Sequence, residues 1–96
     1  MRLGEIVVEL ATRLDRRTLL EQLAEEASEL SQAALKSIRA ERLSGNPTPV
    51  EPGAAWLSVI HERDDVLNCL YLLGLSTSPG SEARLERWAE RLREEK

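Results

Sequence analysis

Two short acidic runs carry the chemistry that this sequence offers. In Glu25-Glu26-Ala27-Ser28-Glu29, residues Glu26 and Glu29 are three apart, and further on Glu62 and Asp65 have the same spacing. Residues three apart on a helix share a face. Two such helices facing each other would bring four carboxylates together. Charges of one sign that close repel, so the pattern predicts a divalent cation among them. Hard oxygen donors suit Mg²⁺, with Mn²⁺ as a substitute.

A solvated acidic face is the competing account, and two features weigh against it. Glu21, Glu25 and Glu29 recur every four residues, a spacing at which like charges repel on a helix. Both acidic pairs also border apolar stripes, where uncompensated charge is costly. The di-metal pattern of Glu-x-x-His on two helices does not fit. His61 is the one histidine, and no carboxylate lies three positions before it.

The elements that must position these groups follow from apolar periodicity. Leu3, Ile6, Val7, Leu10 and Leu14 predict a first helix over 3–14. Asp15 is a candidate N-cap for a second, over 16–43. Its stripe reads Leu20, Leu23, Ala27, Leu30, Ala34 and Ile38, with Ala33 and Ala40 close to the same side. Glu26 falls at the edge of that stripe and Glu29 ~60° further round. Gly and Pro residues through 44–53 predict a loop. A third helix over 54–74 carries Trp56, Val59, Ile60, Val66, Leu67, Leu70 and Leu73, again with Glu62 at the stripe's edge. Residues 76–81 predict a turn, with Ser78 or Ser81 capping a fourth, Arg-rich helix. No strand, repeat, zinc or P-loop pattern is found. The expected fold is all-α, an antiparallel bundle of about four helices in a single domain over 1–96.

Composition sets bounds on partners. Of 96 residues, 42% are hydrophobic and 31% charged, which describes a globular chain. The net charge of -4 argues against a nucleic-acid binder. Cys69 stands alone, which fits a reducing compartment. Neither a signal-peptide core nor a membrane-spanning run is present, so a cytoplasmic location is expected. The apolar content of helices one and three exceeds what one face can bury, so a homo-oligomer is expected as well.

The two acidic runs resemble the signature of the MazG-like all-α nucleotide pyrophosphohydrolases, EExxE followed at a distance by ExxD. Here these are Glu25-Glu26-Ala27-Ser28-Glu29 and Glu62-Arg63-Asp64-Asp65, and the likeness extends through Leu30 to Lys36 and through Asp65-Val66-Leu67-Asn68. It covers most of residues 19–74. The segment over 30–61 is longer than in many members, and its extra length lies in the Pro/Gly-rich loop, where insertions are tolerated. The resemblance implies hydrolysis of a nucleoside triphosphate to the monophosphate and pyrophosphate, in nucleotide-pool housekeeping. It implies that Glu26, Glu29, Glu62 and Asp65 hold Mg²⁺. Glu25 then orients a ligand or the attacking water, or is an exposed glutamate, and Lys36, which matches a family lysine, contacts phosphate or is solvated. It also implies assembly as a homodimer or homotetramer.

Other residues have two accounts each. Arg84, with Arg87 and Arg91, suits phosphate or pairs with the glutamates of its own helix. Asn68 contacts a base or sugar, or bonds between helices. Trp56 and Trp88 at stripe positions favour the core over base stacking. Cys69 reads as a small buried residue, and His61 and Arg39 as surface residues. A non-catalytic helical bundle that binds a partner or a metal through its acidic groove is the alternative function.

Overall fold

The computed structural model describes residues 2–43, 45, 48–75 and 81–95. Four α-helices occur in chain order: α1 (Leu3–Arg13), α2 (Arg16–Ala40), α3 (Pro52–Leu72) and α4 (Glu82–Glu94). No strand occurs among the described residues. No described helix is long and apolar enough to cross a membrane. Ser44, Asn46 and Pro47 of the expected loop, and 76–80 of the expected turn with Ser78 and Pro79, lie outside the described residues.

Local chemistry sets the helix ends. The chain breaks between α1 and α2 at Leu14, and the Asp15 carboxylate accepts the Thr18 N–H at 2.8 Å. α3 starts earlier than expected. Pro52 is its first residue, and the Glu51 carboxylate accepts from the Gly53 and Ala54 N–H groups at 3.0 and 2.9 Å. Proline suits a first helical position because the N–H it lacks has no helical partner there. These backbone bonds hold both the Asp15 and the Glu51 carboxyl below the ordinary range.

α2 ends at Ala40 rather than near 43. There the Leu43 N–H reaches back to the Ile38 carbonyl at 2.9 Å and Arg42 takes a positive φ of 59°. α3 ends in the same way, with the Leu75 N–H on the Leu70 carbonyl and Gly74 at a φ of 79°. Glycine takes that left-handed turn without a Cβ clash, and arginine does so at some cost. Ser81 occupies the N-cap position of α4 but makes no capping bond with its side chain.

Packing is concentrated between α2 and α3. Near one end Leu19 meets Leu72 and Leu73, in the middle Glu26 meets Glu62 and Asp65, and near the other end Lys36 and Arg39 lie across from Ser58. The two helices are therefore antiparallel. On α2 the covered side is Leu19, Leu23, Glu26, Leu30, Ala33, Ser37 and Ala40, and on α3 it is Ala55, Val59, Glu62, Val66, Cys69 and Leu73. Both rows alternate steps of four and three, the spacing that keeps a seam facing a partner helix. Small residues line much of it, with Ala55 only 1% exposed, and they allow close approach.

This seam corrects the expected α2 stripe. Leu20, Ala27, Ala34 and Ile38 are exposed, and the covered face is turned by about one residue, so that Glu26 lies in the seam and not at its edge. The tryptophans are corrected too: Trp56 is 55% exposed and Trp88 56% exposed, so neither is core. α3 is apolar on two sides and α2 meets only one of them.

α1 meets α3, and a small cavity there is lined by Ala11, Leu14, Leu19, Leu72 and Leu73. Among the described residues, α4 packs on none of the other helices, and none of its arginines is paired with a carboxylate. The chain exposes 7819 Å². A folded monomer of this mass exposes roughly 5,500 Å².

Ala55→Leu adds volume where the seam has none to spare. It is expected to cost about 1–3 kcal/mol, seen as a lower midpoint of denaturant unfolding at unchanged slope. An unchanged midpoint would contradict the seam described.

Candidate metal centre

α2 brings Glu26 and α3 brings Glu62 and Asp65 to one corner of the seam. One carboxylate oxygen of each lies within 4.8 Å of the other two. Glu26 is anchored from its own helix, where the Gln22 side-chain amide donates to Glu26 Oε1 at 2.7 Å. Glu26 Oε2 and Glu62 Oε2 are buried and accept no hydrogen bond. A buried acceptor left without a donor is costly, more so when it is charged.

Glu29 stands beside this corner. Its carboxyl is pushed above the ordinary range, chiefly by the Glu26 charge, then by that of Glu62, then by burial. It lies within hydrogen-bonding reach of both when protonated, yet its oxygens fall outside the closest group of three. Cys69, one turn beyond Asp65, is buried in the same seam. Burial raises its thiol above the ordinary range, with smaller contributions from Glu26 and Asp65. A thiol held neutral in that way is a packing residue, as its sequence context indicates.

The donor set fits a hard divalent cation. It consists only of carboxylate oxygens, drawn from two helices, and Glu26 and Glu62 each carry a buried oxygen that accepts no hydrogen bond. Mg²⁺ and Mn²⁺ both accept such donors.

The remaining candidates lie at different distances from the corner. Glu25 is exposed, one position before Glu26 and so ~100° round the helix from the seam. Asn68 is exposed. Lys36 lines a groove of about 590 Å³ that begins at Glu29 and Glu62 and runs between α2 and α3. Arg84 is exposed on α4, which the fold does not bring to the corner within one chain. His61 is exposed.

Two residues of the groove escape a reading of the sequence. Arg39 reads there as a surface residue, but it is half-buried and lines the groove beside Lys36, with Ser58 on the facing wall. The available signal is the α2 ridge of Gln32, Lys36 and Arg39, all within ~80° of Glu29 around the helix. For Ser58 there is none, because its place depends on how α3 is turned against α2.

Comparison with family models, curated proteins and solved structures gives no match to this chain.

Removing one charge from the corner separates repulsion from metal binding. Glu62→Gln is expected to raise the melting temperature of the metal-free protein. Mg²⁺ is expected to raise that of the wild type and to leave the variant unchanged, both read by circular dichroism. Equal Mg²⁺ stabilisation of the two proteins would exclude Glu62 as a ligand.

Proposed function

We propose that this protein is a Mg²⁺-dependent nucleoside triphosphate pyrophosphohydrolase of MazG-like type, releasing pyrophosphate and the nucleoside monophosphate. One observation carries this reading: Glu26, Glu62 and Asp65 converge from two helices, with two buried carboxylate oxygens that accept no hydrogen bond. A helix pair held together for stability alone gains nothing from carboxylates in its seam.

Glu26, Glu62 and Asp65 would hold the cation, with Glu29 beside them as the fourth acid of the motif. At such a site a divalent ion supplies charge neutralisation on phosphate oxygens and acidification of water. The chain's own residues do the rest. Gln22 fixes the rotamer of Glu26 through its bond to Oε1. The seam keeps bulk water from the inner oxygens of Glu26 and Glu62. Lys36 faces the groove as a cation for the phosphate chain. Glu25, exposed beside the corner, would orient the attacking water. In the reaction, water bonds to the α-phosphorus and the bridging bond to the β-phosphate breaks, its electron pair leaving with pyrophosphate.

The same proposal includes a homodimer or homotetramer. The support is the large exposed area, together with Trp56, Leu57 and Tyr71 on the side of α3 that α2 leaves open. A second copy is the occupant whose apolar helix faces match these in kind. Arg84 of α4 would reach a site only in such an assembly, from a neighbouring chain.

Pyrophosphate release from a panel of ordinary and modified deoxynucleoside triphosphates tests the reading. Turnover that requires Mg²⁺ is expected for at least one of them, from a species that light scattering sizes above a monomer. Glu62→Gln should reduce turnover about 10²-fold or more, as loss of catalytic charge stabilisation does elsewhere, with helix content intact. Glu25→Gln should cost less. No release from any member of the panel would leave the acidic corner as a binding site without catalysis.

A further inference from the structure

The groove leading away from the acidic corner has two cations at its far end, Lys36 and Arg39. Lys36 and Arg39 lie seven and ten residues beyond Glu29 on α2 and line the groove with it. The helical rise places them ~10 and ~15 Å further along the axis. Side chains on a helix lean back toward its N-terminus, so both head groups are carried toward the corner. Arg39 is half-buried, although nothing in its sequence setting requires it. Among the described residues neither cation forms an ion pair, although Glu29 and Glu62 line the same groove.

A groove that is acidic at one end and basic at the other has a definite polarity. The acidic end suits a cation. The basic end suits an anion, and a guanidinium matches phosphate oxygens in pairs. A single phosphate at the corner would not span the distance to Arg39, whereas several linked phosphates would.

We infer that the Lys36–Arg39 end of this groove seats the terminal phosphates of a polyphosphate chain, with Arg39 as a phosphate-binding residue. The chain then runs from the carboxylate corner along α2 toward that helix's C-terminal end. The nucleoside of a nucleotide ligand extends the opposite way, toward the Cys69 end of the seam. The inference rests on the phosphate chemistry proposed above, but Arg39 is no part of the MazG-like motif and enters through its place in the groove. The shared ligand chemistry is linked phosphate, whether free or carried by a nucleoside.

Calorimetric titration of the full chain in Mg²⁺ tests it with three probes: inorganic tripolyphosphate, a non-hydrolysable nucleoside triphosphate and a nucleoside monophosphate. Wild type should bind the first two. Arg39→Gln should weaken both by about tenfold or more, as expected for a lost charge-assisted contact, and Arg39→Lys by less. Mg²⁺ affinity, helix content and any monophosphate binding should stay as in wild type. Equal binding of the triphosphate probes by wild type and Arg39→Gln overturns the inference, as does failure of wild type to bind either one. A matching loss of monophosphate binding overturns the direction of the chain. Arg39-dependent binding of tripolyphosphate without turnover of any nucleotide supports the groove and defeats the hydrolase reading, so the two can fail separately.

Discussion

Carboxylates occupy two positions of the α2–α3 seam, Glu26 and Glu62, where apolar side chains would otherwise meet. Most features of the site follow from that. Glu26 lies between Leu23 and Leu30 on its row, and Glu62 between Val59 and Val66 on the other. The helices cannot separate to hydrate these acids without giving up the contacts of Leu19, Ala33, Ala55 and Cys69. One oxygen of each of these acids is buried there. Apolar packing thus holds together groups that electrostatics would drive apart. The raised carboxyl of Glu29, due first to Glu26, is a visible consequence of that tension. A bound divalent cation would relieve it and supply the partner that the buried oxygens lack.

The seam also gives the site its direction. Cys69 continues it toward one end, with Asp65 exposed beside it. Glu29, Lys36 and Arg39 continue the α2 ridge toward the other, where Ala33, Ser37 and Ala40 bring α2 close to α3. Acidic and basic ends therefore fall on one rigid helix pair, and no loop is needed to align them. The other sides of these helices leave Leu20, Ile38, Trp56 and Tyr71 exposed.

Much of this was legible in the sequence, and what was not has physical causes. The four helices, the Asp15 cap, the facing of the two acidic runs and the burial of Cys69 follow from periodicity and spacing. The rotation of α2 did not, because it carries two overlapping apolar stripes. The larger one, with Leu20 and Ile38, dominates a count of apolar residues, whereas close helix contact selects the one with Ala33, Ser37 and Ala40. The start of α3 at Pro52 is hidden in the sequence because Pro52-Gly53 reads as a turn and Glu51 is an uncommon cap. Trp56 and Trp88 are exposed although they hold stripe positions, because amphipathic spacing shows that a face wants cover, not that the same chain provides it. Arg39 shares an α2 ridge with Gln32 and Lys36, but the facing wall that makes this ridge a groove comes from α3, far along the chain.

A crystal grown with Mn²⁺ addresses the central claim most directly, through anomalous scattering at the metal's absorption edge. The expected result is a peak between Glu26, Glu62 and Asp65, with carboxylate oxygens from both α2 and α3 in its coordination sphere. A Mn²⁺ ion bound only by outward-facing acids of one helix, or no peak in the seam at saturating Mn²⁺, would contradict it.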